Sequence, residues 1–252
     1  MTLDVRGVFR DAWSMWQRDR GLLVAIAGFF LFMPQLAWLL FGPDIAVEVA
    51  KADAAQKLSS DAQMQALAQL YAQYAPLIIA ITIATVFGVL AILMVYVDTA
   101  KRSVGGMLLV AMRRFPAYLV LTLIAQATAE IGIYIWYLLV PGLYVVGRLL
   151  LAGPIFAGTG VGPFDAIARS FRMTRGSGLV LAGFATLIVF AQLLLPLPAI
   201  ALGNILDRAP LANPVSGVII DAVAAALAAT AMLGAVLVRI ALYRRIGASN
   251  GI

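Results

Sequence analysis

Glu130 and Arg148 are opposite charges set deep inside apolar runs, and they carry the first chemistry this chain suggests. They lie equally far from position 139, where the chain turns between two runs. In an antiparallel hairpin equal offsets give equal depth, and at about 1.5 Å per residue both sit roughly 13 Å from the turn. A lone charge at mid-bilayer costs at least about 2.5–3.5 kcal/mol, which a partner at matched depth offsets. The sequence therefore predicts that Glu130 and Arg148 form an ion pair or share a polar cavity. Such a pair is either a substrate or headgroup site or a structural pair that fixes hairpin register.

A second candidate follows in GPFDAIARSFRMTRG, residues 162–176. Arg169, Ser170, Arg172, Thr174 and Arg175 could grip a phosphate headgroup at a membrane surface. The same arginines could equally do no more than fix topology. Asp165 and Arg169 stand at i, i+4 and predict a helical ion pair. Gly162, Ala166 and Ser170 form a row of small residues that permits close packing. Asp221 could reach Arg148 or Arg208, or end its helix in solvent, and Arg239 is expected to snorkel from the inner end of its span.

Other chemistry is thin. The chain has no cysteine and no histidine. Thiolate zinc sites, disulfides and cysteine nucleophiles are excluded, as is the commonest general acid–base residue. No HExxH, GxSxG or carboxylate cluster is present. The chain therefore predicts no enzyme, no cofactor and no metal site.

The elements that must hold these residues are membrane helices. Of the 252 residues 63% are hydrophobic and 12% charged, with a mean hydropathy of +0.99. A soluble domain is about 45–50% apolar and about 25% charged, so the excess apolar surface needs lipid as its solvent. The predicted fold is all-α and polytopic, with six transmembrane helices at 21–41, 77–97, 116–137, 139–158, 178–202 and 215–242. Three amphipathic interfacial helices are expected at 1–20, 103–114 and 162–175. The first carries Trp13 and Trp16 near its apolar stripe, and the run beginning at Gly21 is expected to be a retained span rather than a cleaved signal. Residues 44–75 form the one long polar excursion, read as a bent helix or helical hairpin on the outer face and a candidate dock for a membrane-protein partner.

Pro34 should kink span 1, and Pro196 and Pro198 should break span 5. The glycines of span 4 and the alanines of span 6 place these two spans centrally, whereas Phe29, Phe30 and Phe32 turn span 1 toward lipid. A weak internal echo, Gly21-LLVAIAGF and Gly178-LVLAGF, suggests an interfacial segment preceding a pair of spans three times over.

Of the 18 lysines and arginines, Lys51, Lys57 and Arg208 fall on one side, Arg148 inside a span, and all others on the opposite side. The positive-inside rule then puts both termini in the cytoplasm. The net charge of +6 reads as topology and affinity for anionic headgroups rather than for nucleic acid.

Two segments within 140–178 carry a family resemblance: Pro141-Gly142-Leu143-Tyr144 with Arg148 four residues on, and Ala168-Arg169-Ser170-Phe171-Arg172-Met173-Thr174-Arg175-Gly176. Together they resemble the membrane domain associated with bacterial glycerophosphoryl diester phosphodiesterases. Phe171 stands where a tryptophan is common there, and Met173 where an aliphatic residue is common. Outside this stretch the likeness is one of hydropathy. The resemblance implies a bacterial inner-membrane module without phosphodiesterase activity, because the catalytic barrel of the fused members, with its histidines, has no counterpart in this chain. The expected function is a non-enzymatic module binding phospholipid or glycerophosphodiester headgroups. A small transporter, or an accessory subunit of a larger membrane complex, are the alternatives.

Overall fold

A computed structural model describes residues 4–43, 60–97, 104–134, 139–206 and 214–249. Every regular element among them is helical. Six stretches are long and apolar enough to cross a membrane: Val5–Phe41, Tyr71–Val97, Gly105–Thr128, Val140–Thr159, Gly178–Gly203 and Val215–Ala248. The chain is a polytopic membrane protein.

Span 1 is built from α1 (Val5–Ala27), a π-helical turn (Gly28–Phe32) and α2 (Met33–Phe41). Asp4 caps α1 by accepting from the Gly7 amide at 3.1 Å. At Asp19 the backbone leaves helical geometry (φ −116°, ψ 21°) and two helices meet at a kink. The amphipathic stretch before Asp19 is thus set off from the span, as its composition predicts. Pro34 acts through the π turn just before it. Proline lacks an N–H and crowds the carbonyl four residues back, and widening the preceding turn relieves both faults. Gly88 fits against this turn, where an added Cβ would run into Phe30.

Spans 2 and 3 are single long helices, α3 (Ser60–Val97) and α4 (Val104–Tyr134). The separate interfacial helix expected at 103–114 is instead continuous with its span, through Pro116. Residues 60–75 likewise run on through Pro76 into span 2. A single proline removes one backbone bond, whereas ending a helix in an apolar setting strands several polar groups. Residues 44–59, most of the expected outer excursion, and 135–138, the end of span 3 and the turn after it, lie outside the described residues.

Span 4 is broken into α5 (Leu139–Leu149) and α6 (Ala152–Thr159). The break at Leu150–Leu151 lies four residues before Pro154, whose missing N–H leaves the Leu150 carbonyl without its helical donor. Gly160 ends α6 at φ 68°, a left-handed position that glycine adopts freely. After a short turn comes α7 (Pro163–Met173), which packs back along α6. Span 5 is α8 (Gly178–Leu194) and α9 (Leu197–Leu206), parted next to Pro196 as expected. Span 6 is α10 (Pro214–Ser249).

Spans 4 and 6 are the inner members of the bundle. Of the most apolar window of each, 50% and 56% is buried, against 28% in span 1. The N-terminal stretch is tied to the end of α10 by Arg245, which donates to Asp11 at 2.6 Å and Asp4 at 3.4 Å. Beside it the Tyr96 hydroxyl donates to Asp19 at 2.9 Å, and Arg244 donates to the Tyr96 carbonyl at 2.7 Å.

The tightest helix contact joins α5 to α8. A Cβ on Gly147 would lie 2.6 Å from the Ala182 nitrogen and 2.7 Å from the Leu181 carbonyl carbon, both backbone atoms. Gly147→Leu is expected to destabilise the bundle by about 1–3 kcal/mol, the usual effect of overpacking, seen as a lower thermal midpoint in detergent. Gly183→Ala, in open space on α8, should leave the midpoint unchanged or raise it.

Candidate functional site

Arg148 sits in the last turn of α5, just before the break in span 4. Its guanidinium faces the C-terminal end of α7. There Nε donates to the Thr174 hydroxyl at 3.1 Å, and a terminal nitrogen donates to the Phe171 carbonyl. The other terminal nitrogen reaches the Tyr144 hydroxyl at 3.4 Å. The Phe171 ring lies under the guanidinium, 4.8 Å from its carbon to the ring centre. In return Ser170 donates its hydroxyl to the Arg148 carbonyl.

The chemistry is that of a helix C-terminus meeting a cation. The last carbonyls of a helix lack intrahelical donors and carry the negative end of its dipole. Arg148 supplies both a donor and a positive charge to the last turn of α7. Its planar fork also holds two acceptors at once in a fixed geometry, which a lysine's single nitrogen does not provide. The charge is accommodated by a helix end, two hydroxyls and an aromatic face.

This arrangement sorts the five candidate headgroup residues. Ser170 and Thr174 are fully buried and turned toward Arg148. Arg169, Arg172 and Arg175 are exposed on the other side of the same helix and the turn after it. Of the small-residue row, Ala166 and Ser170 form the buried face, whereas Gly162, at the start of the helix, is exposed. The expected Asp165–Arg169 ion pair is not formed; both side chains are exposed, where such a pair contributes only a few tenths of a kcal/mol, about 0.3–0.5. Glu130 lies on α4, but its side chain falls outside the described residues, and so does its pairing with Arg148. Among the described residues no group of three or more acids could hold a metal ion.

One polar residue was misjudged from sequence. Arg239 does not snorkel. It lines a cavity of about 280 Å³ inside the bundle, and its Nε is buried without a hydrogen-bond partner. A signal was present: the residues three, four and seven positions before it are Val236, Ala235 and Met232, all on the wall of that cavity. An arginine sharing a face with a buried stripe points into the bundle.

No protein-family model, curated protein or solved structure matches the chain.

Thr174→Val removes a hydrogen bond to a charged group, and a loss of about 1.5–3 kcal/mol in unfolding stability is expected. Thr174→Ser should retain most of it. Limited proteolysis of the α6–α7 hairpin checks the same point, with cleavage faster in the valine variant than in the serine variant.

Proposed function

We propose that the chain is a non-enzymatic module of the bacterial inner membrane that binds phospholipid or glycerophosphodiester headgroups through Arg169, Arg172 and Arg175. One observation carries this reading. The Arg148 clasp fixes α7 by its Ser170–Thr174 face, while Arg169 and Arg172 on the helix and Arg175 in the turn after it are exposed. A flexible loop would pay conformational entropy to assemble such a cluster, whereas a clamped helix presents it ready-made. Phosphate oxygens are natural acceptors for clustered guanidinium groups. The positive-inside distribution supports a cytoplasmic position for this face.

The resemblance to the phosphodiesterase-associated membrane domain supports the same reading. Its two motif segments are the two sides of the clasp: Tyr144 and Arg148 on one, Ser170, Phe171 and Thr174 on the other.

A second reading, a small transporter, is favoured by the breaks in spans 4 and 5. Interrupted spans commonly line substrate sites near the bilayer midplane. Here Leu150, at the break of span 4, lines the cavity of Arg239, and so does Gln192, close to the break of span 5.

The protein in mild detergent is titrated with phosphatidylglycerol and with phosphatidylcholine, and bound lipid is measured by native mass spectrometry. Near an anionic surface each arginine contributes about 1 kcal/mol, so Arg169/Arg172/Arg175→Ala should weaken phosphatidylglycerol binding roughly a hundredfold. Wild-type binding should also fall with added salt. Equal binding by a folded triple variant would exclude the headgroup face. Flux of a solute in proteoliposomes, lost on filling the cavity with Ala185→Phe, would instead favour the transporter.

A further inference from the structure

The cavity around Arg239 is walled by spans 2 to 6: α3, α4, both halves of span 4, α8 and α10. Most of its lining is aliphatic. The polar exceptions are Thr85, Tyr118, Thr122, Gln126, Gln192 and Arg239. Among the described residues nothing acidic lines it. Two of the polar groups are buried and unpartnered, the Arg239 Nε and the Thr85 hydroxyl, and they come from different helices lining the same cavity. Thr122 is different, since its hydroxyl already donates to the Tyr118 carbonyl at 3.0 Å.

Native proteins rarely leave buried polar atoms unpaired, and an unpaired group asks what completes it. Arginine keeps its charge in proteins, so Arg239 cannot escape by losing a proton. The missing partner must therefore accept hydrogen bonds and bring negative charge. Hydroxyls and amides around a guanidinium are the donor set that recognises an oxyanion. Pockets for drug-sized ligands run from about 300 to 1,000 Å³, so this one suits a compact group. An aliphatic wall with a few convergent polar groups is the usual make-up of a small-molecule site.

We propose that this cavity is a binding site for a single phosphate group, held by Arg239 with Thr85 and the neighbouring amide side chains. That group comes either from free phosphate or from the headgroup of an anionic lipid. The site is separate from the exposed arginine face of α7 and does not depend on it.

The full chain is placed in nanodiscs of phosphatidylcholine alone and its thermal midpoint is followed against inorganic phosphate. In a parallel arm the nanodiscs contain phosphatidylglycerol without free phosphate. A saturable rise in either arm is expected in wild type, and the arm that shows it identifies the source. Arg239→Met should abolish the rise. It should also keep or raise the midpoint of the ligand-free protein, because it removes a half-buried charge whose Nε is buried and unpaired. Thr85→Val, which removes an unpaired hydroxyl, should keep the ligand-free midpoint and weaken binding roughly tenfold. Arg169/Arg172/Arg175→Ala should leave the saturable rise intact. The proposal is overturned if wild type shows no saturable rise in either arm. It is also overturned if Arg239→Met and Thr85→Val both respond as wild type does.

Discussion

A guanidinium in an apolar bundle must be given acceptors, and the way Arg148 obtains them shapes the middle of this protein. Taking a charged side chain out of water costs several kcal/mol unless it is paired and hydrogen-bonded. A hydrogen bond from a charged donor returns about 1.5–3 kcal/mol. Arg148 makes such bonds to the Thr174 hydroxyl and the Phe171 carbonyl and a longer one to the Tyr144 hydroxyl, with the Phe171 ring beneath it. The return is of the same size as the cost. The clasp is therefore best understood as a device of geometry rather than of net stability. It fixes where α7 ends and which face of α7 turns outward. Gly160 and Gly176, the positive-φ glycines on either side, let the chain reverse into and out of that helix.

Arg239 is the contrasting case. It has the same charge and lies among aliphatic walls, yet no hydroxyl or carbonyl accepts from its Nε. Arg148 finds its acceptors on α7, whereas the Arg239 Nε has none and its side chain lines a cavity. That difference, rather than depth in the membrane, separates their roles.

The spans were legible because lipid imposes them. Long apolar runs are required wherever a helix meets hydrocarbon, and the six stretches stand out in composition alone. The central placement of spans 4 and 6 was legible for a similar reason, through their small residues. The partners of Arg148 were harder to find. The equal-offset argument centred on the turn at 139 sets Arg148 level with Glu130, whose side chain lies outside the described residues. Applied to the reversal near Val161, the same argument sets Arg148 level with Thr174, and that contact is made. Sequence offsets give depth along each hairpin but do not name every neighbour a side chain meets at that depth. The expected span starts at 77 and 116 fall beside Pro76 and Pro116, yet α3 and α4 run straight through both prolines. In an apolar setting the helix bridges one missing bond more cheaply than it ends.

The clasp and the cavity share α5. Arg148 leaves one side of that helix for α7, while Val146 and Leu149 lie on the cavity wall. Gly147, between them, presses on the backbone of α8. Three consecutive functions are thus packed into one turn of helix, immediately before the break at Leu150–Leu151. A helix end followed by a break has fewer backbone bonds holding it than a continuous span. The tight Gly147 contact compensates by locking α5 against α8, and the Arg148 fork adds a second anchor on α7. With both in place, the cavity wall is held by side-chain contacts on either flank rather than by helical continuity. This explains how a span interrupted near its middle can still present a defined surface to the interior of the bundle.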